Sequence, residues 1–138
     1  MSAHDIAATL PSGLDAVFET RDAAGAATRI GVRHARAGEL VDAYPAGTHD
    51  RELLVEGRPA PAELARVAAD VLAADERCRR VVIAVAEGDL GAIGWAEDGG
   101  FRFVVDVETR SGGFSLLVTE PDWVLAQPHI LDEIPLKE

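Results

Sequence analysis

A run of six apolar residues, Val81–Ala86, followed at once by turn and cap residues, constrains the fold of this chain more than any other segment. The run is too short for an independent helix and is rich in β-branched residues, which favours a strand buried on both faces of a sheet. Gly88 ends the strand, Asp89 is a residue type that caps helix N-termini, and Gly99–Gly100 is typical of a helix end. The segment therefore predicts a strand, a helix from about Leu90 to Asp98, and a further strand.

The rest of the chain is divided into elements by alternating apolar residues and by clusters of Gly, Pro, Asp and Ser. The predicted strands cover residues 14–21, 28–34, 52–56, 81–86, 101–109 and 114–119. The connection over 35–50 contains a turn of helix at 39–44. A longer helix runs from about Pro61 to Asp75, with proline in its first turn and an apolar face centred on Leu64. The apolar face of the following helix is centred on Ile93.

The order of these elements is strand-strand-strand-helix-strand-helix-strand-strand. It predicts an α/β (α+β) fold with a mixed, mostly antiparallel central sheet and flanking helices. At 138 residues the chain is long enough for one domain, 1–138, with its own hydrophobic core. We expect the folded core over about 14–120 and weakly ordered termini at 1–13 and 127–138.

The composition argues against several classes of function. A formal net charge of −11 makes the chain a poor partner for nucleic acid, whose phosphates require a positive surface. No segment approaches the ~18–20 apolar residues of a membrane helix, and the N-terminus carries no export signal, so we expect a cytoplasmic protein without membrane contact. Cys78 is the only cysteine and the histidines lack a ligand spacing, so neither a disulfide nor a metal site is predicted.

Residues 79–101 resemble the C-terminal motif of the Gcn5-related N-acetyltransferase (GNAT) superfamily. That motif reads Asn-x-x-Ala-x-x-Leu-Tyr-x-x-x-Gly-Phe and lies on the helix after the fifth strand of the family. In this chain Asp89 stands at the Asn position, Ala92 matches the Ala, and Gly100-Phe101 match the closing pair without a gap. In element order the resemblance extends over about 14–120.

Two motif positions differ from the family. Trp95 replaces the Leu, and Ala96 replaces the Tyr that often protonates the departing thiolate of coenzyme A. The first strand and two helices of the family also have no counterpart before Leu14. The resemblance implies an acyl-CoA-dependent N-acyltransferase that transfers an acetyl group to an amine. The differences leave open a second function, a non-catalytic GNAT-like binding or partner module that has lost acyl-CoA chemistry.

The resemblance implies that acetyl-CoA binds between the strands at 52–56 and 81–86, where the two splay apart. Its pyrophosphate would face the loop over 57–62, because free amides and the positive end of a helix stabilise an anion. The residues implied to contact the cofactor are Leu53, Leu54, Val55, Gly57, Arg58, Ala60, Ala62 and Asp89. Pro59 and Pro61 remove two amide donors from this loop, so an ordinary rigid turn is the alternative interpretation.

The resemblance also implies a general base near the start of the strand at 52–56. Glu52 lies at that position, and His49 is an alternative because imidazole titrates near neutral pH. A solvated carboxylate at a strand end is the competing interpretation. The expected acceptor is a small-molecule or protein amine, and a homodimer built on an exposed sheet edge is a further expectation.

Overall fold

The structure, a computed structural model, describes residues 10–42 and 46–121. Its elements in chain order are β1 (Ala16–Arg21), β2 (Ala27–His34), β3 (Arg51–Glu56), α1 (Pro61–Ala74), β4 (Val81–Ala86), α2 (Leu90–Asp98), β5 (Arg102–Thr109) and β6 (Gly112–Thr119). Two short 3-10 helices, Ala35–Ala37 and Glu39–Asp42, lie between β2 and β3. The predicted element order is confirmed. The termini predicted to be weakly ordered lie wholly or largely outside the described residues.

The six strands form one sheet in the order β1-β2-β3-β4-β6-β5. Every neighbouring pair is antiparallel except β3 and β4, which run parallel. The parallel pair is joined by α1, because parallel neighbours need a crossover connection. The mixed, mostly antiparallel sheet predicted from the sequence is therefore confirmed. Neither helix in the described part of the chain has the length and apolar character needed to cross a bilayer.

The helix α1 forms because proline suits its first turn and because apolar residues recur every three or four positions. Its buried residues are Leu64, Val67, Ala68 and Val71. They pack with α2 against one face of the sheet, where the core includes Ile30, Leu53, Ile83 and Leu117. No side chain caps the first turn at Ala60; instead the Glu63 carboxylate there accepts a hydrogen bond from the backbone N–H of Arg21 at 3.0 Å. That bond fastens the beginning of α1 to β1.

The helix α2 begins and ends at the residues that the sequence predicted. The Asp89 side chain accepts a hydrogen bond from the Ala92 amide at 3.0 Å, and Gly100 follows the helix with a φ of +95°, which favours glycine. The buried residues of α2 are Ala92, Trp95 and Ala96. Ile93 is only partly buried, so its predicted place at the centre of the apolar face is wrong.

The second face of the sheet is covered by the connection between β2 and β3. Ala35, Leu40 and Ala46 pack there against a group of sheet residues, namely Val82, Leu116 and Val118. The turn of helix predicted at 39–44 is seen as the 3-10 helix Glu39–Asp42, while 43–45 lie outside the described residues. The two faces of the sheet thus carry different covers, two helices on one side and a short irregular segment on the other.

Candidate functional site

The parallel strands β3 and β4 separate halfway along their length. Their pairing ends at Leu53 and Ile83, although β3 continues to Glu56 and β4 to Ala86. Beyond that point β3 remains paired with β2, and β4 remains paired with β6. Within the described ranges each strand therefore keeps one unpaired edge towards the gap, and the backbone N–H and C=O groups on that edge can pair with a ligand. The splay expected between these strands is present.

A cleft of about 430 Å³ opens at this separation. Its walls come mostly from β3, β4 and the second face of the sheet, and the lining residues are Leu10, Pro11, Arg33, Leu40, Glu52, Leu53, Leu54, Val55, Ile83, Ala84, Thr109, Ser111 and Phe114. The walls are mainly apolar, with a few polar side chains among them. A volume of this size and such a lining are typical of a site for a small organic ligand.

The buried acid of the cleft is Glu52. Only 6% of this residue is exposed, and its Oε1 accepts a hydrogen bond from the Nε of Arg33 at 2.9 Å. The two residues are direct cross-strand neighbours on β3 and β2. A carboxylate buried at the wall of a cleft can accept a proton from a group bound there. The structure thus brings Glu52 to the cleft wall with a defined partner.

His49, the alternative base, lies elsewhere. It precedes the first residue of β3, and its Nδ1 lies 3.8 Å from Asp75 Oδ2. Asp75 also accepts hydrogen bonds from the Arg77 backbone N–H and from Arg51 Nη2, both at 2.9 Å. The Arg77 amide, and after it the Arg51 guanidinium, lower the pKa of Asp75 to about 2. His49 therefore lies beside Asp75, the residue that follows α1, and it does not line the cleft.

The loop between β3 and α1 offers fewer amide donors than its length suggests. Pro59 and Pro61 have no N–H, and the Ala60 amide donates to the carbonyl of Arg21 at 2.9 Å. Among the residues that the structure describes, the amides at 57, 58 and 62 donate to no acceptor. At most three amides of the loop, together with the Arg58 side chain, therefore remain available to an anion at the beginning of α1. These donors can bind a phosphate group, but they are fewer than a phosphate-binding loop would offer if all of its amides were free.

Trp95 was not selected as a site residue from the sequence, yet it contacts the loop twice. Its indole Nε1 donates to the carbonyl of Pro59 at 2.6 Å, and the Cζ of Arg58 lies 4.8 Å from the ring centroid. Trp95 lies 36 residues from Pro59 in the chain, so no local pattern could place the two together. The one available signal was the presence of a tryptophan at the Leu position of the motif.

Two further motif residues contribute to the structure of α2 and do not line the cleft. The Asp89 carboxylate caps α2, and Ala96 is fully buried in the core. Ala96 therefore leaves no proton donor at the position of the family's Tyr. The hydroxyl groups that line the cleft belong to Thr109 and Ser111.

The described ranges contain no group of three His, Cys, Asp or Glu side chains that could hold a metal ion. Cys78 is buried, and its Sγ donates to the carbonyl of Arg80 at 3.3 Å. Burial raises the pKa of this thiol and outweighs the opposite effect of the Arg51 charge, so the neutral thiol is favoured.

No family model matches the sequence, and no curated protein matches it. The structure is similar to that of aminoglycoside acetyltransferase AAC(6')-Ib in complex with coenzyme A and kanamycin, with 17% identity, a TM-score of 0.52, and coverage of 69% of this chain and 60% of that one. It is also similar to an uncharacterized protein from Bacillus halodurans, with 16% identity, a TM-score of 0.59, and coverage of 74% and 57%. The chain thus spans at most 60% of the length of these two structures. The GNAT fold predicted from residues 79–101 is confirmed.

Proposed function

We propose that this chain is an acyl-CoA-dependent N-acyltransferase whose acyl donor binds between β3 and β4. The observation that carries the proposal is the early end of the β3–β4 pairing at Leu53 and Ile83, which opens a cleft at the C-terminal ends of both strands. The similarity in fold to an acetyltransferase solved with coenzyme A supports acetyl-CoA as the acyl donor. In this arrangement the pantetheine arm pairs with the open edge of β3 at 54–56, and the phosphates face the loop over 57–62.

The residues of the cleft can perform direct transfer. Acetyl-CoA supplies a thioester carbonyl, beside which the apolar side chains of Leu53, Leu54 and Val55 exclude water. The amine nitrogen forms a bond to that carbonyl carbon, the carbon–sulfur bond breaks, and coenzyme A leaves as the thiolate. Glu52 accepts the proton that the amine loses. Orientation of the amine beside the thioester supplies much of the rate, since well-placed reactants gain about 7–11 kcal/mol.

The acceptor that fits best is a small amine that carries positive charge. The cleft has the size of a small-molecule site, and the chain as a whole is strongly acidic, with a net charge of −11. AAC(6')-Ib, which shares the fold, was solved with kanamycin. An acidic enzyme attracts a cationic acceptor over long range, and a buried carboxylate in the cleft receives its amine.

The predicted homodimer and the cytoplasmic location remain predictions. The surface that supports a dimer is the edge strand β5, on which Phe103, Val104 and Val105 are all exposed. Three adjacent apolar residues on an open edge favour association with another chain.

Titration calorimetry with coenzyme A tests the proposed function. We expect a dissociation constant of about 10 µM to 1 mM, weakened by the missing amides of the loop. Ala84→Trp, which narrows the cleft from β4, should weaken binding at least about tenfold, while Ala73→Trp on the exposed side of α1 should not change it. An assay of coenzyme A release should then detect acetyl transfer to a panel of primary amines that includes kanamycin.

The alternative function, a non-catalytic GNAT-like module, is favoured by two observations. Ala96 is fully buried where the family carries its Tyr, and two prolines stand in the phosphate loop. Coenzyme A binding without transfer to any amine of the panel would support a module that retains the ligand but not the chemistry. Absence of binding up to about 10 mM would exclude the acyltransferase, since a site weaker than about 3 kcal/mol is not a functional one.

A further inference from the structure

Arg58 is an exposed cation in the loop between β3 and α1. It forms no ion pair with any residue in the ranges that the structure describes, although acidic residues outnumber basic ones by 24 to 13 in the chain. Its guanidinium instead lies over the ring of Trp95. In an acidic protein, an arginine held on an aromatic ring and away from carboxylates is available to a ligand.

Trp95 fixes both the side chain of Arg58 and the backbone that carries it. The ring is nearly buried, with 9% of the residue exposed, and its orientation is set by the hydrogen bond from Nε1 to the Pro59 carbonyl. Pro59 is itself fully buried, and the Ala60 amide is bound to Arg21. The peptide on the C-terminal side of Arg58 therefore has little freedom, and the indole offers the guanidinium one flat surface to lie on.

This contact leaves the hydrogen-bond donors of Arg58 free. A guanidinium that lies over an aromatic ring keeps its N–H groups available to other acceptors. Those donors match two oxygens of a phosphate in the bidentate arrangement that arginine favours. The loop has lost three of its amides to prolines and to Arg21, so a charged side chain can supply the missing contacts.

We propose that Trp95 is a positioning residue for the acyl donor: by lying under the guanidinium of Arg58 and donating to the Pro59 carbonyl, it directs that guanidinium towards the phosphates of coenzyme A. The inference rests on the proposed function, because it requires the phosphates to lie at the loop over 57–62. It assigns the phosphate contact to a side chain pair that joins the loop to α2, in place of the missing amides.

A double-mutant cycle tests the inference by calorimetry with two probes, coenzyme A and pantetheine, which lacks the phosphates. We expect Arg58→Ala to weaken coenzyme A about tenfold and Trp95→Leu to weaken it about three- to tenfold, with pantetheine unchanged in both. In the Arg58→Ala background, Trp95→Leu should have no further effect, because the group that it positions is gone. A purely structural Trp95 would instead weaken both probes, or weaken coenzyme A equally in both backgrounds, and either result would overturn the inference.

Arg58→Lys provides a second test that does not disturb the core, since Arg58 is exposed. Lysine retains the charge but not the planar stack or the bidentate fork, so we expect coenzyme A to bind about three- to tenfold more weakly than to the unchanged protein. Equal binding by the lysine variant would overturn the role of the stack even if Trp95→Leu failed to fold. If the unchanged protein bound neither probe, the proposed function would fail with the inference; if it bound coenzyme A without coupling, only the inference would fail.

Discussion

Replacing Glu52 by glutamine is expected to lower kcat for acetyl transfer about 10²–10⁴-fold, which is the usual contribution of a general base. Glutamine has nearly the same size and can still accept the hydrogen bond from Arg33, but it cannot take a proton from the amine. The affinity for coenzyme A should not change, because in the proposed arrangement the carboxylate faces the acceptor rather than the phosphates. The measurement is the initial rate of coenzyme A release with the best amine of the panel, together with a calorimetric titration of coenzyme A.

Glu56→Gln is the matched control for this variant. Glu56 lies four residues further along β3 and forms the corresponding cross-strand pair with Arg29, but it is half-exposed and does not line the cleft. We expect Glu56→Gln to retain the full rate. If the Glu52 and Glu56 variants had equal rates, Glu52 would be a structural ion-pair partner of Arg33, and the proton would have to leave by another route.

Leu64→Ala is expected to lower the free energy of unfolding by about 2–5 kcal/mol, because the fully buried leucine leaves a cavity between α1 and the sheet. Gly99→Ala should cost about 1–3 kcal/mol for the opposite reason. A Cβ at Gly99 would lie 2.6 Å from Leu64 Cδ2 and 3.1 Å from Leu64 Cγ, so the leucine would have to move. In the double variant the new methyl group occupies part of the space vacated by the leucine, and the cost should be less than the sum of the two.

Gly94→Ala is the control for the effect of adding a methyl group to α2. Apart from its chain neighbours and the backbone of its own helix, no atom lies within 4 Å of a Cβ at Gly94, so alanine should stabilise the helix by about 0.5–1 kcal/mol. Urea denaturation measures the free energy of unfolding of the four variants and of the unchanged protein. The comparison requires that the dependence of this free energy on urea concentration is the same in all of them. Additive costs in the double variant, or a loss below about 0.5 kcal/mol for Leu64→Ala, would mean that α1 does not pack on the sheet as described.

The parts of the fold that could be predicted from the sequence are those with local causes. The strand Val81–Ala86 and the helix Leu90–Asp98 have the predicted bounds, because an unbroken apolar run, an Asp cap and a Gly pair each act within a few residues. The strand predicted from Leu14 instead begins at Ala16, and Leu14 lies against Gly31 of the neighbouring strand. That contact depends on how β1 meets β2, which the pattern of β1 alone does not contain.

The candidate site was harder to predict than the fold, because it depends on contacts between residues that are distant in the sequence. Its position between β3 and β4 followed from the family resemblance, and the early end of their pairing agrees with it. The Arg33–Glu52 pair could not be predicted, because it depends on the register of β2 against β3. The stack of Arg58 on Trp95 likewise depends on how α2 packs beside the loop. In both cases residues that are distant in the sequence come together only because their elements pack side by side.

Hydrogen exchange of the backbone amides, with and without saturating coenzyme A, is the most direct test of a donor site between β3 and β4. The edge of β3 beyond Leu53 should exchange rapidly in the unliganded protein, since no strand among the described residues pairs with it there. We predict that coenzyme A slows exchange over residues 54–58 and leaves the β1–β2 hairpin unchanged. Slower exchange at another surface, or no change over 54–58 at saturation, would contradict a donor site in the cleft.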